Sequence, residues 1–327
     1  MAKRNLILIH RGPEYDKDFK EIAKKIAALD KDITIFALAN HSTAQIPSIA
    51  WMWPTLIVST TSEFRLQIKR GALLRNMQVE KFAQYKVFRE TGIPTPATLA
   101  FRFGTMLDPV LFGEFVLIKP MDLGMTSKGV GVQLFRRQRL ERMQPGDFPS
   151  DHAIHHARDG YLVQRFVDTG PYPSFHRVQT FFGKVIYSWH STLQEPRCSL
   201  EAPDEEIERA TIASQGGEKD RKLVKEPDIV ALAEKVGAAF PTIPLLAIDV
   251  LREAGTGKLY VLECNPGGNT WHFSSNIGAK LRLGFGNAAV NGAERAHQLA
   301  RRMFMEQYGA FDIVARTLVE KTHQLAS

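Results

Sequence analysis

Apolar and polar positions change period repeatedly along this chain of 327 residues, and each change marks an element. Residues 5–10, NLILIH, form an unbroken apolar run of strand length, and Ile33 to Leu38 and Leu56 to Ser59 repeat it. Between the first two, Asp16 to Leu29 places Phe19, Ile22, Ala23, Ile26 and Ala27 at helical spacing, so one face can cover a parallel sheet. Residues 5–75 therefore predict an α/β unit. Pro47, Pro54 and the Trp51 to Trp53 pair mark a loop within it. A helix follows from Met77 to Thr91, stopped by Gly92 and Ile93-Pro94-Thr95-Pro96. Phe115 to Pro120, FVLIKP, and Tyr161 to Val167, YLVQRFV, read as strands, the second running into Asp168-Thr169-Gly170-Pro171. From Phe175 the alternation FHRVQTFFGKVIYSWHS turns at Phe182-Gly183-Lys184, a hairpin signal. Gln194 to Lys225 is polar and reads as a long loop that orders on substrate binding. A helix from Pro227 to Phe240 leads to two more strands, Leu245 to Leu251 and the start of Leu259 to Trp271, joined by a hairpin-sized turn. Residues 272–286 look like a loop, and Ala288 to Tyr308 and Phe311 to Gln324 read as amphipathic closing helices.

Composition adds limits. The length calls for two or three packed lobes, and 44% hydrophobic with 24% charged residues is ordinary for a globular protein. No apolar run approaches the roughly 20 residues of a membrane span, and the N-terminal apolar stretch is too short for a secretory signal, so no membrane partner is expected. Cys198 and Cys264 form no C-x-x-C and suit a reducing cytoplasm. The net charge of +7 is scattered, as in Lys17, Lys20, Lys24 and Lys25 on a solvated helix face. Without an aromatic-interleaved basic stripe, no nucleic-acid partner is expected. The same positive field would draw in anionic small molecules.

The chemistry concentrates near residue 260. Pairing Leu245–Leu251 antiparallel with LYVLECNPGGNTW brings Asp249 near Glu263 and Asn265, which share one strand face while Cys264 points to the other. Two carboxylates and an amide oxygen on one face are costly to bury without a cation, and oxygen ligands of this kind suit Mg²⁺ completed by substrate phosphates. Solvated acids on an edge hairpin are the plainer alternative; Pro266 and the glycines after it, which let backbone approach a ligand, weigh against it. Lys119 within FVLIKP needs a partner. Asp122 to Val132, DLGMTSKGVGV, can expose backbone amides to phosphates. His152, His155 and His156 offer a Zn²⁺ face but lack a cysteine or fourth ligand nearby, and an exposed connection is expected there. The first unit lacks a G-x-G-x-x-G, which argues against a dinucleotide site.

Asp249, Glu263 and Asn265 followed by Pro-Gly, with Lys81 ahead of GIPTP and the I-K-P strand before the glycine loop, resemble the ATP-grasp superfamily, of the carboxylate-amine ligase type that includes D-alanine:D-alanine ligase, glutathione synthetase and biotin carboxylase. That resemblance implies an α/β fold with an N-terminal pre-grasp domain over 1–75, an N-lobe over 76–165 and a C-lobe over 166–327, the lobes sandwiching the nucleotide. It implies ATP contacts from Lys81 (Lys86 as runner-up), Lys119, Ser127, Gly129, Gln164, Arg165, Phe166, Val167 and Asp168. In it Gln164 stands where many relatives carry Glu and faces the adenine amine, the backbone at Phe166 and Val167 pairs with the base, and Asp168 either accepts from ribose hydroxyls or is surface charge. Arg177, Lys119 and Asn269 would act on the phosphoryl or acyl-phosphate group. Asp249, Glu263 and Asn265 would hold Mg²⁺, taken as two ions, with Mn²⁺ as a substitute. The implied reaction joins a small-molecule carboxylate to an amine through an acyl-phosphate, releasing ADP and phosphate, in a monomer or homodimer. A small-molecule kinase of the same fold, and a non-catalytic nucleotide-binding protein, remain as alternatives.

Overall fold

The computed structural model describes residues 3–12, 16–40, 46–63, 66–121, 131–212, 218–267 and 302–327. β1 (Arg4–His10), α1 (Asp16–Leu29), β2 (Ile33–Ala39), β3 (Thr55–Ser59) and β4 (Ala72–Arg75) build a parallel sheet in the order β2-β1-β3-β4. Its central strands β1 and β3 are buried because both faces are covered: Leu6, Leu8, Leu56 and Val58 meet α1, while Ile7, Ile9 and Ile57 close over Ala50. α2 (Lys81–Glu90) starts four residues later than the periodicity predicts, and residues 77–80 carry no regular structure, with the Val79 carbonyl accepting from the Gln84 side chain at 2.9 Å.

β5 (Thr98–Ala100), α3 (Pro109–Phe112), β6 (Phe115–Pro120), β7 (Gln133–Arg136), α4 (Arg137–Arg142) and β8 (Tyr161–Arg165) form the second unit, an antiparallel sheet ordered β5-β8-β6-β7. The third consists of β9 (Ser174–Phe181), β10 (Lys184–Leu193), α5 (Asp204–Glu208), β11 (Lys219–Leu223), α6 (Pro227–Ala239), β12 (Leu245–Arg252) and β13 (Leu259–Pro266), antiparallel in the order β11-β10-β9-β12-β13. The expected loop over 194–225 is corrected here, since it contains α5 and β11. Lys-Asp-Arg-Lys-Leu carries too little apolar content to announce a strand, and only the open edge of β10 makes it one.

α7 (Ala310–Leu325) returns to the first unit, where Phe311, Val314, Ala315 and Leu318 pack with Phe19, Ile22 and Ile26 of α1. Lys25 Nζ donates to Asp312 Oδ1 at 2.7 Å, and His323 Nε2 lies 2.6 Å from Asp30 Oδ2. The same cluster runs on into Phe181, Tyr187 and Trp189, so the first unit and one face of the third sheet share a core. The other face, with Val178, Val185, Ile248 and Val250, lies under α6 and Phe88 of α2. Among the described residues no helix is long and apolar enough to cross a membrane.

The β9–β10 turn has φ of 45° at Phe182 and 81° at Gly183, positive at both central residues as a two-residue hairpin with the strand twist requires. α6 rests directly on it: a Cβ placed on Gly237 would lie 2.4 Å from Gly183 Cα. Gly237→Ala is therefore expected to lower the thermal midpoint, with an overpacking cost of about 1–3 kcal/mol exceeding the ~1 kcal/mol that alanine gains in helix propensity. An unchanged or raised midpoint would show that the helix moves away without loss.

Candidate functional site

The register of β12 on β13 sets Asp249 opposite Glu263 and Ala247 opposite Asn265. A bulge between Asp249 and Val250 leaves Leu262 as the extra residue, which lines the cleft described below. Asn265 Nδ2 donates to Glu263 Oε1 at 3.2 Å. On its other flank Asp249 lies opposite Arg177 of β9, whose Nε and Nη2 donate to the two carboxylate oxygens at 2.6 Å each. Burial pushes Asp249 above the usual carboxylate range, against the pull of Arg177 and with a further push from Glu263. Burial by itself would lower Arg177, but Asp249 and Glu263 hold it above its ordinary value.

Across from this face stand two lysines of other elements. Lys119 on β6 donates from Nζ to Gln164 Oε1 at 2.6 Å, and Gln164 Nε2 donates to Thr98 Oγ1 at 2.8 Å and to the Tyr85 hydroxyl at 3.1 Å. Gln164 is fully buried, and its oxygen is engaged by Lys119. Burial brings Lys119 down to about 8, with Lys81 adding to the fall and Glu263 opposing it. Lys81, in the first turn of α2, donates to the Pro120 carbonyl at 3.4 Å and is likewise lowered by burial and raised by Glu263. Among the described residues neither lysine closes an ion pair with Glu263, although both lie in its field. Lys86, by contrast, is exposed beside Glu90 at 3.9 Å.

The placement of Lys81 follows from how α2 covers a sheet edge. β13 is an edge strand, and its outward backbone groups need partners. Gln84 Oε1 accepts from the Cys264 N–H at 2.9 Å, the Tyr85 hydroxyl donates to the Leu262 carbonyl at 3.3 Å, and the Val261 N–H donates to the Pro94 carbonyl at 2.8 Å. Lys81, Gln84 and Tyr85 are spaced i, i+3, i+4 on one helical face, so docking that face on β13 brings Lys81 into the field of Glu263. Asn76 anchors the other strand, accepting from the Leu245 N–H at 3.1 Å. Gln84, Tyr85, Thr98 and Asn76 were not singled out in the sequence, and for the first two the helical spacing from Lys81 was the available signal.

Between the walls lies a largely apolar cleft bordered by Leu117, Lys119, Gln164, Val167, Leu251 and Leu262. The Phe166 N–H donates to the Phe115 carbonyl at 3.0 Å, whereas the Val167 N–H has no partner among the described residues. Arg165 is committed elsewhere: Nη2 donates to Glu253 Oε1 at 2.7 Å and Nη1 to the Tyr260 hydroxyl at 2.9 Å, tying β8 to the β12–β13 turn. Asp168 Oδ1 accepts from the Gly170 N–H at 2.9 Å and from Arg197 Nη2 at 2.7 Å. Arg197, hidden in the polar stretch, also borders the cleft. Ser127 and Gly129 of the glycine loop, and Asn269, lie outside the described residues.

No group of three or more His, Cys, Asp or Glu among the described residues is placed to hold a metal. For the histidine trio the reason is visible in His152, whose Nδ1 accepts from the Ile154 N–H at 3.1 Å and whose Nε2 lies 3.2 Å from Gln133 Oε1. A metal at the acids rests on two carboxylates and one amide oxygen. Glu263 Oε2 and Asn265 Oδ1 have no hydrogen-bond partner among the described residues, and each Asp249 oxygen keeps a second lone pair beyond its bond to Arg177. That all-oxygen set fits Mg²⁺.

No family model matches the chain, and no curated protein matches it. Among solved structures, a D-cycloserine synthetase, DcsG, is 17% identical with a TM-score of 0.45, covering 91% of this chain and 99% of its own. A D-alanine–D-alanine ligase from Bacillus anthracis complexed with ATP is 14% identical with a TM-score of 0.43, covering 98% and 99%. The ATP-grasp ligase PsnB complexed with precursor peptide PsnA2 and AMPPNP is 10% identical with a TM-score of 0.49, covering 98% of each chain.

The Arg177–Asp249 pair makes a stability prediction. Asp249→Leu leaves a largely buried guanidinium without its counter-charge and is expected to cost about 3 kcal/mol in urea unfolding. Adding Arg177→Met should recover most of that loss; no recovery would mean that the cost lies in packing rather than in the stranded charge.

Proposed function

We propose that this chain is an ATP-dependent ligase of the ATP-grasp type, joining a carboxylate to an amine. The observation that carries the reading is that Lys81 and Lys119 both lie in the field of Glu263, beside the Arg177-bound Asp249, with no ion pair closing the gap to Glu263 among the described residues. Opposite charges held apart at a cleft call for a molecule that is anionic toward the lysines and coordinates a cation toward the acids, and a nucleoside triphosphate with Mg²⁺ is both. The apolar cleft with its free Val167 N–H suits the purine end.

In this reading Val167 and the neighbouring backbone recognise the base, Lys81 and Lys119 stabilise phosphate charge, and Asp249, Glu263 and Asn265 hold Mg²⁺. The bound ion would neutralise charge on the β- and γ-phosphates. Arg177, oriented by its two bonds to Asp249, keeps Nη1 for an oxygen of the phosphoryl group in transit. The γ-phosphoryl passes to a substrate carboxylate oxygen, breaking its bond to ADP. An amine then attacks the acyl carbon, loses a proton and displaces phosphate. No Ser, Cys or His nucleophile is needed.

Glu263→Gln should abolish ATP-dependent phosphate release while leaving far-UV circular dichroism unchanged; retained turnover would remove the acids from the mechanism. A carboxylate and amine library scored by phosphate release, with products weighed by mass spectrometry, separates an amide product from a phosphorylated one.

Lys119 gives a pH signature. Its value of about 8 means that the free chain carries this charge below that pH and loses it above. Affinity for a fluorescent Mg²⁺-ATP analogue is expected to fall as pH rises through about 8. In Lys119→Gln the affinity should be weaker and that step should vanish.

A further inference from the structure

The far edge of the third sheet carries cations that the ligase reading leaves unused. β11 pairs with β10 so that Arg221 lies opposite Ser191 and Leu223 opposite Trp189; Trp189 lies opposite Arg177, and Arg177 opposite Asp249. Facing residues of an antiparallel pair share a side of the sheet, as do residues two apart. Lys219, Arg221, Ser191 and Trp189 therefore stand on the side that holds the acids. Ser191 and Trp189 are each 1% exposed, yet Ser191 Oγ and Trp189 Nε1 find no hydrogen-bond partner among the described residues. Native structures keep few such orphan donors. Arg221 is half-buried and makes no hydrogen bond or ion pair among the described residues, while Arg177 is already bound by Asp249. Burial and then repulsion from Arg177 lower Arg221, and burial, Arg221 and Arg177 lower Lys219, with Asp249 opposing. Asp220, the acid between them, turns to the other side and accepts from Gln194 Nε2 at 2.8 Å.

We propose that this edge is a subsite for a second anionic group of the carboxylate substrate: Arg221, flanked by Lys219 and by the buried Ser191 and Trp189 donors, takes a carboxylate separate from the one that is phosphorylated. The proposal rests on the ligase reading for which group reacts. β11 is three strand spacings from β12, about 14 Å at ~4.8 Å each, and the arginine stem spans part of that distance. A substrate reaching both places has several bonds between its two anionic ends, which selects di-acids, or amino acids joined through a remote carboxylate, over simple monocarboxylates.

Equilibrium dialysis of the full chain against radiolabelled succinate, glutarate and adipate, with acetate as control, tests the subsite without requiring turnover. At least one di-acid should bind about tenfold tighter than acetate. Arg221→Gln should weaken it about tenfold, with partial recovery in Arg221→Lys and undiminished affinity for the fluorescent Mg²⁺-ATP analogue. Equal binding of acetate and the di-acids, or no effect of Arg221→Gln, overturns the proposal. So does weakened nucleotide binding with di-acid binding intact, because the cation would then serve a phosphate. Should Arg221→Gln fail to fold by circular dichroism, Ser191→Ala must show the loss instead. A wild-type chain that binds a di-acid but no nucleotide upholds the subsite and sinks the ligase reading, and the converse result does the opposite.

Discussion

Two carboxylates set directly opposite each other on neighbouring strands repel, and the molecule is arranged around that repulsion. The pairing of Asp249 with Glu263 is fixed by the β12–β13 register, which side chains cannot relax without shifting a whole strand. Arg177 compensates one acid from the next strand. The remaining compensation comes from Lys119 and Lys81, which belong to other elements and stop short of contact.

Holding the charges apart requires rigid supports on both sides. Lys119 is tethered by Gln164, which is itself held by Thr98 and Tyr85, so the lysine cannot swing to Glu263 without breaking a buried network. α2 closes the exposed edge of β13 through Gln84 and Tyr85 and in the same act orients Lys81. The open edge strand is thereby covered by the helix that supplies a cation. Behind the acids, α6 and Phe88 of α2 pack the opposite face of the sheet.

The same sheet face reads as a gradient from one edge to the other. Acids occupy β12 and β13, a neutralised arginine sits on β9, β10 carries buried donors without a partner among the described residues, and β11 carries cations. Acids and cations thus stand at opposite ends of one sheet face, and the apolar cleft lies beside β8.

The chain's alternation and apolar runs were enough to read β1, α1, β6, the β9–β10 hairpin and the β12–β13 pair nearly residue for residue, because each is specified by local periodicity or by its turn. The shared face of Glu263 and Asn265, and the proximity of Asp249, followed from period-two geometry alone. What the sequence could not contain was anything created by an edge. β11 is a strand only because β10 offers unpaired backbone, so Lys219 and Arg221 looked like solvated loop charge. Gln84 and Tyr85 looked like ordinary helix residues until β13 needed partners. Arg177 was legible as a cation and Lys119 as a buried one, but that the first would be spent on Asp249 and the second held by Gln164 depends on strand order and long-range packing. Local pattern decides which face a side chain takes; only tertiary structure decides which charge it meets there.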